Sequence, residues 1–177
     1  MHPLLKKLSG GDRRSIGRSN EVATHVLAHP ANFRHLIKGL AANDAVLRMR
    51  TADAIEKITA HRPDLLRPYK RKLLAIAGST EQQEIRWHAS LIMPRLELTP
   101  KERAVALDIL FDYLRDKSSI VKTFAMQAIW DLAASDLKLK SQIIPLIEEL
   151  TQVGTAAMRA RGRKILHQQK PASSRRS

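Results

Sequence analysis

The chain contains no cysteine. That absence excludes a disulfide scaffold, a cysteine-ligated zinc site and thiol catalysis, and it permits a reducing compartment without requiring one. Aromatic residues are scarce: Phe33, Tyr69, Trp87, Phe111, Tyr113, Phe124 and Trp130 are all there are in 177 residues. So few rings argue against recognition of single-stranded nucleic acid by base stacking. The longest purely apolar run, Leu73 to Ala77, is five residues, where a membrane helix needs about 20. The start, Met1 to Leu8, lacks the apolar core and small-residue cleavage site of a signal peptide. These absences lead us to expect a soluble, cytoplasmic, monomeric chain with no membrane partner.

What is present is an apolar fraction of 44% and a strong positive charge, 31 Lys+Arg against 17 Asp+Glu, for a net +14. The first is enough for one packed core. The second is unevenly placed. Residues 1–75 carry 15 basic and 6 acidic side chains, residues 76–150 carry 9 and 11, and residues 151–177 carry 7 and none. Positive charge belongs to the two ends. From Gln168 onward the apolar periodicity stops, so we expect one domain over 1–167 and a disordered basic tail over 168–177.

Four segments share an apolar residue, a base, two variable residues and a small residue. They are Leu47-Arg48-Met49-Arg50-Thr51, Ile85-Arg86-Trp87-His88-Ala89, Val121-Lys122-Thr123-Phe124-Ala125 and Met158-Arg159-Ala160-Arg161-Gly162, spaced by 38, 36 and 37 residues. A degenerate fifth copy begins at Ile16, with Gly17 in place of the base. Another amphipathic stretch precedes each clear copy: Phe33–Leu40, Leu65–Ile76, Ala104–Leu114 and Ile143–Leu150. Apolar positions at Val121, Phe124, Ala125, Ala128 and Leu132 step by three and four, the period of one helical face. Pro30, Pro63 and Pro100 fall where one unit hands over to the next. Pro68 and Pro145 hold matching places in two first helices and should sit in a first turn or bend them. No stretch alternates like a strand. The small residues Thr51, Ala89, Ala125 and Gly162 let paired helices approach closely. The repeating unit is a pair of helices, which buries its apolar face only by stacking on its neighbours.

Asp116…Val121-Lys122…Ala125, with the looser Asn43-Asp44…Leu47-Arg48 and Glu81…Ile85-Arg86…Ala89, resembles the HEAT-repeat family. In that family the second helix opens with an acidic residue, then Val-Arg, then Ala. The last unit departs from the pattern, with Gln152 where the acid should be. The likeness covers roughly Phe33 to Leu166. It implies an all-α, right-handed α-solenoid of four to five stacked two-helix repeats, and by analogy a non-enzymatic adaptor or scaffold. The whole chain, particularly around Leu8–Arg18, is also similar to small prokaryotic HEAT-repeat proteins.

The bases Arg48, Arg86, Lys122 and Arg159 recur with the repeat. Stacking should align them, either as a row facing phosphates or carboxylates or, as the resemblance implies, each paired with the acid of its preceding turn. Arg50, Arg161, Arg163 and Lys164 have no obvious internal partner and are the stronger candidates for an anionic partner. Gly10-Gly11-Asp12-Arg13-Arg14-Ser15-Ile16-Gly17-Arg18 admits two readings. Successive N–H groups of a glycine-permitted turn, with Arg13, Arg14 and Arg18 around them, would cradle an anion. The alternative is a turn in which Asp12 or Ser15 caps the next helix.

His25 and His29 stand one helical turn apart without a third ligand at helical spacing, so no metal is expected. Asp108, Asp112 and Asp116 read as a hydrated stripe. Metal hydroxylases of HEAT type use His-Glu pairs, and no histidine here is followed by Glu. Alkylpurine DNA glycosylases of HEAT type use aromatic and acidic residues, which makes Trp87 and Trp130-Asp131 worth testing. Trp130 lies one turn after Met126 and Trp87 one turn before Leu91, spacings of helix packing. No P-loop, Gly-x-Ser-x-Gly or His-Glu-x-x-His pattern occurs. The expectation is a scaffold without cofactor whose partner is an acidic protein, or alternatively a nucleic-acid backbone bound without sequence preference.

Overall fold

A computed structural model describes residues 1–169. Every regular element among them is helical, and the chain divides into two compact units, Met1–Glu102 and Arg103–Ser177.

The first unit holds α1 (Pro3–Leu8), α2 (Ser19–Ala28), α3 (Phe33–Gly39), α4 (Ala45–His61), α5 (Lys70–Ser79) and α6 (Gln83–Ile92). Helix α4 lies between α2 and α6 and also packs on α3 and α1. It is the axis of this unit, and Leu47, Ile55 and Ile58 on it are almost wholly buried. The cap of α4 is Asp44, whose Oδ1 accepts from the N–H groups of Val46 and Leu47 at 2.8 and 3.3 Å, satisfying two of the donors every helix start leaves open. Short 3-10 segments at Pro30–Asn32 and Pro63–Tyr69 open on the hand-over prolines as expected. The amphipathic stretch 65–76 is not one helix, however. Pro68 has no N–H to give an α-ladder, and the chain stays in a 3-10 turn to Tyr69 before α5 begins at Lys70.

The second unit holds most of α7 (Pro100–Tyr113), then α8 (Ser119–Leu132), α9 (Leu137–Val153) and α10 (Ala156–Gln169). Helix α10 packs on both α9 and α8. Its approach to α9 depends on Gly162, where a Cβ would stand 1.8 Å from the Thr151 hydroxyl. Gly39 plays the same part for α3, since a Cβ there would meet Leu5 and Thr51 at 2.7 Å. Pro145 sits inside α9. Gln168 and Gln169 continue α10, and the rest of the expected tail, 170–177, lies outside the described residues.

Candidate functional site

Arg50 is the most constrained charge in the chain. It stands on the inward side of α4 and is 5% exposed. Its Nε donates to the Ser15 carbonyl at 2.9 Å, Nη1 to those of Gly10 and Leu8 at 2.6 and 3.3 Å, and Nη2 to that of Asp12 at 3.2 Å. The segment 9–18 therefore wraps the guanidinium with its carbonyls turned in. Such a wrap needs left-handed backbone, and Gly10, Gly11 and Gly17 take φ of +79°, +74° and +54°. Space matters as well: a Cβ on Gly17 would lie 2.7 Å from the Arg50 Cζ, and one on Gly11 would lie 3.0 Å from Nη2.

This geometry corrects two expectations. An anion cradle requires converging N–H groups, whereas the groups converging here are carbonyls and the centre is already filled by a cation. Arg50 in turn has an internal partner and is withdrawn from any external one. Neither does Asp12 or Ser15 cap α2. Asp12 Oδ1 accepts from the Arg14 N–H at 2.8 Å and Ser15 Oγ from the Gly17 N–H at 3.0 Å, tightening the loop itself. Of the loop arginines, Arg18 is held by Glu21 at 2.6 Å and Arg13 approaches Glu84 at 3.7 Å. Arg14 is 93% exposed, with Asp12 at 3.5 Å. Lys7 and Arg18 together hold the Glu21 carboxyl down at about 2.

The repeating base turns out to clasp the turn before its own helix. Arg48 Nη1 donates to the Ala42 and Asn43 carbonyls at 2.7 and 2.9 Å. Arg86 donates to the Thr80 carbonyl at 2.8 Å and also pairs with Glu81 at 2.9 Å. Arg159 reaches the Gly154 carbonyl at 3.0 Å. The common partner is thus a carbonyl five or six residues back, with the acid joining in the Arg86 turn. In the turn before α4 the acid caps the helix instead. Lys122 makes no such clasp among the described residues; its helix is capped by Ser118, which accepts from the Val121 N–H at 3.4 Å. Gln82 ties two turns together, accepting from Arg48 Nε at 2.9 Å and donating to the Ala45 carbonyl at 2.8 Å.

On α10 the candidates divide. Arg161 is half-buried and donates to Gln127 Oε1 at 3.2 Å, and Gln127 donates on to Asp131 at 2.8 Å. It too has an internal partner after all. Arg163 and Lys164 are exposed and make no hydrogen bond or ion pair among the described residues. With Ala160, His167 and Gln168 they line a shallow open depression on the helix surface.

Trp130 is buried, and the Lys140 ammonium lies 4.5 Å from its ring centre. It is a packing residue with a cation on its face, closed to a flipped base. His25 and His29 stack ring on ring at 4.7 Å.

One cluster escaped the sequence reading. In the first unit the fourth position of the repeat motif is buried, holding Arg50 on α4 and His88 on α6, whereas Phe124 and Arg161 at that position in the second are half-buried. His88 and Glu84, one turn apart on α6, are each 6% exposed, and His88 Nδ1 and Glu84 Oε2 lack any hydrogen-bond partner. On α4, Asp53 accepts from Ser19 Oγ and from the Lys57 ammonium, the latter at 2.6 Å. Burial pushes the His88 imidazole down to about 4, against the pull of Asp53, Glu56 and Glu84, so it is neutral at pH 7. Equivalence of Arg50 and His88 in the repeat was the available signal.

No family model matches the chain, and no curated protein or solved structure is similar to it at a significant level.

Proposed function

We propose that the chain is a non-enzymatic scaffold of the HEAT-repeat type, a right-handed α-solenoid, that holds an acidic protein partner. Support for the architecture comes from within each unit: α2, α4 and α6 lie side by side in the first, α8 and α10 in the second. The turn clasp made by Arg48, Arg86 and Arg159 recurs with the motif.

The observation that carries the partner's sign is α10. It has no acidic residue, and Arg163 and Lys164 stand exposed, with no hydrogen bond or ion pair among the described residues. With no acid on the helix itself, an incoming carboxylate meets no competition from α10's own side chains. Free guanidinium and ammonium groups on a regular helix give charge complementarity and fast encounter.

Fluorescence anisotropy with a labelled oligo-glutamate peptide and a labelled duplex DNA tests this directly. The peptide should bind, and the double reversal Arg163→Glu with Lys164→Glu should weaken it at least tenfold with the helical circular dichroism intact. Unchanged peptide affinity in that variant removes the reading. Binding confined to the duplex, at micromolar strength or weaker and fading steeply with salt, transfers the same surface to phosphate backbone.

A further inference from the structure

The first unit contains a buried cluster of the opposite sign. Glu84 and His88 face α4 from α6, and Asp53 faces them from α4. The charges acting on His88 are Asp53, Glu56 and Glu84, which are negative, and Lys57, which is positive, with Arg13 beside Glu84. Asp53 already holds Lys57 and Ser19, so the unanswered groups are the Glu84 carboxylate and the His88 ring. A buried carboxylate oxygen and a buried imidazole nitrogen without partners are costly to leave so. Natural proteins keep such atoms where something else completes them.

Arg13 shows what fits. Its guanidinium lies at the solvent edge of the cluster with Nη1 3.7 Å from Glu84 Oε1, beyond hydrogen-bond reach, and its side chain is 58% exposed. It screens one oxygen and leaves Oε2 bare. The segment that carries it turns on glycines and is anchored by the Arg50 clasp at Leu8, Gly10, Asp12 and Ser15, none of which involves the Arg13 side chain. Arg13 can therefore swing away without undoing the loop. Trp87 borders the site, its ring 5.3 Å from that of His88 and tilted against it, close enough to report on binding there.

We propose that Glu84, His88 and Asp53 form a binding pocket for a guanidinium group, which displaces Arg13 and donates to Glu84 Oε2 and the His88 ring. The planar fork matches a carboxylate with two parallel N–H bonds. A neutral imidazole beside it accepts one more.

The test is a titration of the full chain followed by NMR, reading the His88 ring and the Trp87 indole, with the Trp130 indole as an internal reference. Agmatine supplies a free guanidinium and the tripeptide Gly-Arg-Gly one carried on a side chain, which separates the two sources. Butylamine tests the planar fork. Saturable shifts at His88 and Trp87 with agmatine or the tripeptide, at least tenfold weaker with butylamine, are expected, and Trp130 should not move. Glu84→Gln should weaken binding at least tenfold, and Arg13→Ala should strengthen it several-fold by removing the internal competitor. Non-saturating shifts, equal affinity in Arg13→Ala, or an ordered water joining Glu84 Oε2 to His88 Nδ1 that agmatine does not displace would each overturn the proposal.

Discussion

The two units differ in what the fold brings to one arginine of each: Arg50 in the first is enclosed, and Arg163 in the second stands exposed. In the first, most arginines are turned inward or paired, while Lys6, Lys38, Arg71, Lys72 and Lys101 stand exposed with no side-chain hydrogen bond or ion pair among the described residues. Arg50 is enclosed by four carbonyls, Arg48 and Arg86 close turns, Arg95 meets Glu56 at 2.5 Å, Arg67 meets Glu97 at 2.8 Å, and Lys70 meets Glu102 at 2.9 Å. In the second, Arg103 pairs with Asp136 at 2.9 Å and Arg161 is held through Gln127, but Arg163 and Lys164 are left to solvent. Residue type does not separate the two groups. What separates them is the supply of oxygen: a glycine-rich loop offering carbonyls in the first unit, and a helix with no acid of its own in the second. An arginine is structural where the fold brings acceptors to it, and available where it does not.

The sharpest break of this comparison is to remove one base from each unit. Arg50→Ala leaves a set of inward carbonyls without a donor and should cost about 4 kcal/mol, the scale of breaking a buried charged network. Arg163→Ala should change stability by less than about 0.5 kcal/mol, as an exposed site with no partner. Urea unfolding of the two variants measures both. Equal costs would dissolve the distinction between the units.

Acid sharpens it next. His88 titrates at about 4 in the fold against an ordinary 6.5, so the unfolded chain binds the proton first as pH falls. Stability contributed by the neutral ring is complete above pH 6.5 and declines as pH drops toward 4, by up to about 3 kcal/mol. Glu21 and Glu102 are held low, at about 2, so their contributions fade in a lower window, from 4.5 downward. Unfolding free energy measured from pH 7 to 4 should fall, and His88→Gln should flatten that segment. A flat profile in the parent chain would contradict the burial argument.

A smaller effect is expected at Gly17. Gly17→Ala forces a side chain onto a φ of +54° and to within 2.7 Å of Arg50. The cost should be about 2 kcal/mol, combining the left-handed penalty with displacement of the guanidinium. Gly10→Ala tests the decomposition, because nothing lies within 4 Å of its Cβ. It should lose the backbone part alone, about 1 kcal/mol. Thermal melts of the pair would show whether the loop is set by backbone conformation or by the cation it encloses.

Much of the fold was legible because helices advertise themselves by period. The second helices, the hand-over prolines and the close-approach glycine Gly162 stood in the sequence in positions the structure shares. The start of α5 was only half marked: Pro68 flagged a first turn or a bend, but apolar spacing over 65–76 ran through it and hid the 3-10 turn that holds the chain out of the α-helix until Lys70. The candidate site was half legible. Arg163 and Lys164 were visible as bases without neighbours of opposite sign. Arg50 and Arg161 looked identical to them, since their partners are carbonyls or amides about 35 residues away in the chain.

By itself the sequence determined an all-helical chain, its repeat of about 37 residues, the sign of its charge and where along the chain that charge lies. Those properties follow from local spacing and composition. Only the tertiary structure decided which charges are available. Whether a guanidinium binds outward or is held inward depends on which carbonyls, amides and carboxylates the packing of distant helices brings within 3 Å of it. The same packing placed Glu84 and His88 together out of water with nothing in their own segment to answer them.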